Sequence, residues 1–203
     1  MKFICIGRNY IDHVKEFNSS IPTEPVFFFK PETALLLKRQ PFFMPDFSQN
    51  IHYELELILK ICKVGKNIQE KFAPAYYNEI GVGIDFTARD IQGNCIKNGL
   101  PWEISKAFDG SAVVGVCFEK KSFDDINNID FSLKLNDNIV QKGNSKDMIF
   151  NFDKLISYVS QFVTLKMGDI IFTGTPSGVG PVKINDVLEG YIGKEKSFKI
   201  LVK

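Results

Sequence analysis

Glu54 and Glu56 stand two positions apart in Tyr53-Glu54-Leu55-Glu56-Leu57-Ile58-Leu59-Lys60-Ile61, a run that opens in polar/apolar alternation. On a strand this spacing turns both carboxylates to one face and Tyr53, Leu55 and Leu57 to the other. Two part-buried carboxylates ~4 Å apart would repel by roughly 4 kcal/mol at an effective dielectric near 20, which calls for a proton or a cation between them. Mg²⁺ or Mn²⁺ takes oxygen ligands and keeps positions open for water or substrate, so a third acid would complete a catalytic ion site. Asp85, at the end of Ile80-Gly81-Val82-Gly83-Ile84-Asp85-Phe86, is the candidate. The same spacing also suits two glutamates on a solvated sheet face and an aspartate capping the next helix. Zinc is disfavoured, because His13 and His52 are the chain's two histidines and no Cys/His cluster has ligand spacing.

His13 and Glu16 lie three positions apart, one face of a helix, where a carboxylate could orient an imidazole and make it a water-activating base; a solvent-facing pair has the same spacing. The pair's glycine- and proline-rich surroundings offer the alternative of a mobile lid. Asp169-Ile170-Ile171-Phe172-Thr173 runs into the glycine-rich Gly174-Thr175-Pro176-Ser177-Gly178-Val179-Gly180, which holds neither nucleotide-binding glycine motif. Such a loop can offer backbone N–H groups and the Thr175 hydroxyl to a small carboxylate, or be a plain turn. Lys106, beside Ala107-Phe108, could serve an anionic substrate or a developing oxyanion, or lie on the surface.

These groups must be positioned by short elements. Strands are expected at the opening Met1–Gly7, at Tyr53–Ile61, Ile80–Phe86, Ser111–Phe118, Asp130–Leu135, Asp169–Thr173 and Ser197–Val202. Helices are expected from Tyr10 to Phe17, over Phe152–Phe162, and from a capping box at Thr87-Ala88-Arg89-Asp90 to about Gly93. Pro22, Pro25 and Pro31 make the segment before Ala34-Leu35-Leu36-Leu37 loop-rich. Asn136-Asp137 between two strands reads as a tight turn, so the pattern favours a β-rich α+β fold, largely antiparallel or mixed.

With 203 residues, 44% of them hydrophobic and 24% charged, the chain has the balance of one globular domain with its own core. Lys+Arg 25 against Asp+Glu 24 leaves a net charge of +1, which provides no field to draw in nucleic acid or an anionic membrane. The run Val26-Phe27-Phe28-Phe29 stops at Lys30-Pro31, far short of the ~20 apolar residues of a bilayer span. The opening residues carry no secretory pattern, and the cytoplasm is the expected compartment. Cys5, Cys62, Cys95 and Cys117 form no C-x-x-C pair and are expected to be reduced packing residues.

Together, Gly7-Arg8-Asn9-Tyr10…His13…Glu16, Phe29-Lys30-Pro31, His52-Tyr53-Glu54-Leu55-Glu56, Gly83-Ile84-Asp85-Phe86-Thr87-Ala88-Arg89-Asp90 and Gly168-Asp169-Ile170…Gly174-Thr175-Pro176-Ser177-Gly178-Val179-Gly180 resemble the fumarylacetoacetate hydrolase family in order and spacing. The resemblance covers about residues 4 to 182 and is nearest the short subgroup containing acylpyruvases, which lacks the extra N-terminal domain of fumarylacetoacetase. It implies one catalytic domain over residues 1–203, a mixed β-roll or sandwich, and a homodimer. Glu54, Glu56 and Asp85 match the family's magnesium ligands, and His13 and Glu16 the lid-borne acid/base dyad. Arg8, Gln92, Lys106 and Thr175 match substrate-facing positions, and Arg89 another motif position. Lys106-Ala107-Phe108 departs from the usual Lys-Ser-Phe, and Asp109-Gly110-Ser111-Ala112-Val113 lacks a proline common there.

The expected activity is magnesium- or manganese-dependent cleavage of an acylpyruvate-type 2,4-dioxo acid, His13 activating water and Lys106 or Gln92 stabilising the oxyanion. Oxaloacetate decarboxylation, hydration of a 2-oxo-4-enoate and keto–enol isomerisation share the enolate and stand as alternatives, among them an isomerase or hydratase of aromatic meta-cleavage catabolism. A non-catalytic dicarboxylate binder is the alternative of another class.

Overall fold

In the computed structural model of the protein, which describes residues 1–16 and 20–203, short strands outnumber helices. In chain order the strands are β1 (Phe3–Gly7), β2 (Val26–Lys30), β3 (Ile51–Tyr53), β4 (Leu55–Ile61), β5 (Tyr77–Asp85), β6 (Thr87–Ala88), β7 (Ala112–Glu119), β8 (Asp130–Leu135), β9 (Asn138–Asn144), β10 (Ile170–Phe172), β11 (Gly180–Pro181), β12 (Val187–Ile192) and β13 (Glu195–Leu201). The helices are α1 (Ile11–Glu16), α2 (Arg89–Asn98), α3 (Glu103–Lys106) and α4 (Phe152–Phe162). The main sheet has the order β2-β1-β10-β4-β5-β7; β1 and β10 run parallel and the other neighbours antiparallel. A second sheet, β13-β12-β8-β9, packs against β5, β7 and β4, and a small sheet, β11-β3-β6, sits beside the site. The β-rich α+β expectation holds.

The sheets stack because β4 and β5 are apolar on one face. Leu55, Leu57 and Leu59 of β4 and Ile80, Val82 and Ile84 of β5 are sealed in the large core with Leu133 of β8 and Leu188 of β12. The opposite face carries Glu56 and Ile58 on β4 and Gly81, Gly83 and Asp85 on β5. There Ile58 joins Phe3, Cys5, Ala34, Ala112, Ile170 and Phe172 in a smaller cluster. α4 lays Phe152, Leu155, Ile156 and Val159 into the large core, and Asn151 caps it by accepting from the Lys154 amide at 2.9 Å.

Several expectations are corrected. The segment from Pro22 to Pro31 is not all loop: Val26–Lys30 is an edge strand against β1, its prolines standing outside the paired stretch. Phe17, expected to end the first helix, lies outside the described residues. The run from Tyr53 breaks at Glu54, between β3 and β4. No capping box forms, since Thr87 belongs to β6 and its hydroxyl serves Lys106, while Asp90 binds the Ser48 hydroxyl and the Gln49 amide. α2 continues through Gly93, where no neighbour crowds the backbone, and ends at Gly99 in the left-handed region (φ 64°). The expected β8–β9 turn is present, with positive φ at Asn136 (48°) and Asp137 (68°) as a type I′ hairpin requires. The cysteines are free thiols, Cys5 and Cys95 buried. No helix among the described residues is long and apolar enough to cross a membrane.

Candidate active site

The β4–β5 ladder brings the acids together. Leu55 pairs with Ile84 and Glu56 with Gly83, so Glu54 falls opposite Asp85, whose amide donates to the Glu54 carbonyl at 2.9 Å. Glycine at 83 is required because a Cβ there would sit 2.2 Å from the Val113 carbonyl oxygen and 2.9 Å from the Phe172 ring. One carboxylate oxygen from each of Glu54, Glu56 and Asp85 lies within 4.8 Å of the others, and all three residues are buried. The solvated-face alternative for this pair is thereby excluded.

Burial of three like charges needs compensation, about 3–4 kcal/mol per pair at an effective dielectric of 20. Lys106, at the end of α3 and 3% exposed, donates to Glu54 Oε2 (2.8 Å), Asp85 Oδ2 (2.8 Å) and Thr87 Oγ1 (2.6 Å). It is no surface lysine, and its three donors are all engaged. Burial opposes its charge, but Asp85 and Glu54 raise its pKa to about 12. Lys30, wholly buried at the end of β2, places Nζ 2.6 Å from Asp85 Oδ1 and donates to the carbonyls of Phe86 and Ser111. Arg89 pairs with Glu54 and donates to Gln92 Oε1 at 2.6 Å. Burial would raise the Glu54 pKa, yet Lys106 and Arg89 hold it far below the usual carboxylate range. Among the described residues Glu56 forms no ion pair; it accepts from the Gly174 amide at 2.6 Å, and burial together with Asp85 and Glu54 pushes its pKa up. An all-oxygen donor set with one uncompensated acid is what a hard divalent ion fits.

The other candidates gather at the same cleft. Arg8, His13, Gln92, Lys106 and Thr175 line it with the three acids, against an apolar wall that includes Phe28, Ile96 and Trp102. Arg8 holds a left-handed backbone (φ 60°), strain a non-glycine residue adopts at a cost of order 1 kcal/mol. Glu16 stands behind His13, its Oε2 3.1 Å from Nδ1, and its Oε1 accepts from the Gly178 amide at 3.3 Å. Burial lowers the His13 pKa, against the pull of Glu54 and Glu16. The expected contact is present at the cleft, with His13 half-buried and Glu16 exposed behind it, and through it α1 and the glycine-rich loop touch.

A model of the fumarylacetoacetate hydrolase C-terminal domain matches residues 2–199. The chain belongs to the fumarylacetoacetate hydrolase family. Within it, the chain is 43% identical over 199 residues to the mitochondrial oxaloacetate tautomerase FAHD1 of Bos taurus, covering 98% of this chain and 90% of that protein. It is 42% identical over 188 residues to the oxaloacetate tautomerase YcgM of Escherichia coli, covering 92% and 86%. A solved fumarylpyruvate hydrolase from Pseudomonas aeruginosa, in complex with Mn²⁺ and pyruvate, superposes with a TM-score of 0.93 at 33% identity, covering 100% of this chain and 89% of that one. This chain is an enzyme of that family.

Two neighbours of the acids escaped sequence reasoning. Lys30 reads as the residue that stops an aromatic run, although it stands in a family motif. Gln141 lies in β9, where nothing in its local sequence sets it apart from a surface glutamine; it is 1% exposed and bonds to both β4 and the glycine-rich loop.

Proposed function

We propose that the chain is a divalent-metal-dependent enzyme acting on a small 2-oxo dicarboxylate through its enolate, with interconversion of the keto and enol forms of oxaloacetate as its reaction. The carrying observation is the charge of the site. Glu54 and Asp85 are answered by Lys30, Lys106 and Arg89, Glu56 has no ion pair among the described residues, and Arg8 adds a further cation at the cleft. With a divalent ion added the cleft is net positive, which favours a dianion such as oxaloacetate over a singly charged acylpyruvate. The names of the bovine and Escherichia coli relatives support the same substrate.

Glu54, Glu56 and Asp85 would hold Mg²⁺ or Mn²⁺, which supplies a Lewis acid that makes the proton beside the 2-oxo group acidic. His13, with Nδ1–H directed at Glu16, keeps its basic lone pair on Nε2 and moves that proton. Burial keeps the imidazole neutral at neutral pH and so ready to accept it. Thr175 and Gln92 bind the substrate carboxylate and 2-oxo ends, Arg8 the distal carboxylate, and Lys106 holds Glu54 and Asp85 in register. The reading takes residues 1–203 as one catalytic unit and, on the family resemblance, a homodimer, which light scattering tests.

Hydrolysis of a 2,4-dioxo acid is the second reading. It is favoured by the His13–Glu16 contact, which has the form of a water-activating pair, and by the likeness to the fumarylpyruvate hydrolase. One panel separates the readings: oxaloacetate and acetylpyruvate with Mg²⁺ or Mn²⁺, following enol absorbance and pyruvate release. Faster ketonisation of oxaloacetate without pyruvate supports the first reading, and pyruvate from acetylpyruvate the second. Stabilisation by oxalate without turnover of either compound would mean a binding protein.

A further inference from the structure

We infer that Gln141 is a positioning residue that fixes the Thr175 hydroxyl as a hydrogen-bond donor to a carboxylate in the cleft; this rests on the 2-oxo acid reading. The side-chain amide is buried and spans two elements. Its Oε1 accepts from the Leu55 amide at 2.9 Å, at the first residue of β4, which stands between Glu54 and Glu56. Its Nε2 donates to Thr175 Oγ1 at 2.9 Å and to the Pro176 carbonyl at 3.0 Å.

The orientation of this amide is dictated by its neighbours. Leu55 N–H can only donate and the Pro176 carbonyl can only accept, so the flipped amide would face donor with donor and acceptor with acceptor. With Nε2 thereby assigned, Thr175 Oγ1 accepts a hydrogen bond from Gln141, and its own hydrogen must point elsewhere. The Pro176 carbonyl is 3.4 Å away, a poor acceptor at that length. Thr175 is 3% exposed and lines the cleft, so the remaining direction is toward a bound anion.

The loop is pinned on both sides of this residue. The Gly174 amide is held by Glu56, and its left-handed backbone (φ 100°) leaves no room for a Cβ, which would sit 2.7 Å from Asn9 Cβ. Gln141 thus ties the start of β4, between Glu54 and Glu56, to the hydroxyl that meets the substrate, and sets which way that hydroxyl donates.

The test is a double-mutant cycle of Gln141→Leu and Thr175→Val, with Gln141→Glu as a variant that keeps the acceptor for Leu55. Oxalate affinity is measured by calorimetry on the Mg²⁺-loaded protein, and amide hydrogen exchange over 173–180 on protein free of metal and ligand. Thr175→Val is expected to weaken oxalate by about tenfold, the scale of one hydrogen bond to a charged group. Gln141→Leu is expected to weaken it comparably, and Thr175→Val in that background to cost under about twofold more. Gln141→Glu, which draws the threonine proton to itself, should also lose oxalate affinity. Equal cost of Thr175→Val in both backgrounds, or wild-type affinity in Gln141→Glu, overturns the inference. Should the unsubstituted protein bind no oxalate, the 2-oxo acid reading fails, and exchange alone decides on Gln141. Faster exchange over 173–180 in Gln141→Leu upholds the anchoring, and unchanged exchange ends it.

Discussion

Lys30 Nζ lies 2.6 Å from Asp85 Oδ1, with both side chains sealed from solvent. The ends of two strands of the main sheet, β2 and β5, meet in this contact, so the ion pair fixes where Asp85 stands relative to Glu54. Removing one member of a buried pair leaves the other charge uncompensated, at about 3–5 kcal/mol. Lys30→Met should therefore lower stability by that order in urea unfolding without added metal. Mg²⁺ should recover part of the loss by supplying the missing charge, and equal stability of variant and parent would show that Asp85 has no need of the lysine.

Glu56 is in the opposite position, a buried acid without an ion pair among the described residues. Glu56→Gln removes a charge repelled by Glu54 and Asp85 while leaving a carbonyl oxygen to accept from Gly174. The metal-free variant should be at least as stable as the parent and should lose most of its heat of Mn²⁺ binding in calorimetry. The stabilisation an ion confers, about 2.7 kcal/mol at a hundredfold excess over Kd, should vanish with it. A variant that still binds Mn²⁺ tightly would remove Glu56 from the ligand set.

Gly83→Ala tests the geometry behind the cluster. The new methyl would meet the Val113 carbonyl at 2.2 Å, a backbone atom that cannot rotate away. β5 and β7 must then separate, at about 1–3 kcal/mol or more, and Asp85, two residues on, must shift. Thermal melting should show the loss of stability, and calorimetry a weaker response to Mn²⁺. Unchanged values in both would mean that the ladder tolerates a side chain there.

The pH dependence follows from His13. Its folded pKa lies below the ordinary histidine value of about 6.5, with burial as the largest cause. The unfolded chain thus binds the proton more readily, and stability falls as pH drops from about 6.5 through the folded value. Activity that needs neutral imidazole should stay level through neutral pH and fall only below that window. Glu16 raises the His13 pKa, so Glu16→Gln should move the acid limb of kcat/KM to still lower pH and reduce kcat. An acid limb that stays in place in Glu16→Gln and in His13→Gln would assign it to another group.

Local signals carried much of the architecture. Asp130–Leu135 and Phe152–Phe162 lie where periodicity puts them, because each has one face to bury and a turn or cap that ends it. The edge strand Val26–Lys30 and the fate of Thr87 were not legible: prolines and a capping pattern are local cues, while pairing with β1 and the demand of the Lys106 ammonium come from residues far along the chain. The same distance hid Lys30 and Gln141, whose local sequences look like a strand end and a surface hairpin.

By itself the sequence determined the face on which Glu54 and Glu56 stand, since a strand alternates its side chains, and the kinds of group present, hard oxygen donors, one imidazole with a carboxylate three residues on, and a glycine-rich turn. Only the tertiary structure decided that Asp85 comes opposite Glu54, that lysines 30 and 106 and Arg89 pair with Glu54 and Asp85, and that Gln141 reaches Thr175. Spacing along a chain sets direction within one element. Charge compensation and convergence depend on strand register and on burial, which exist only once separate segments have packed.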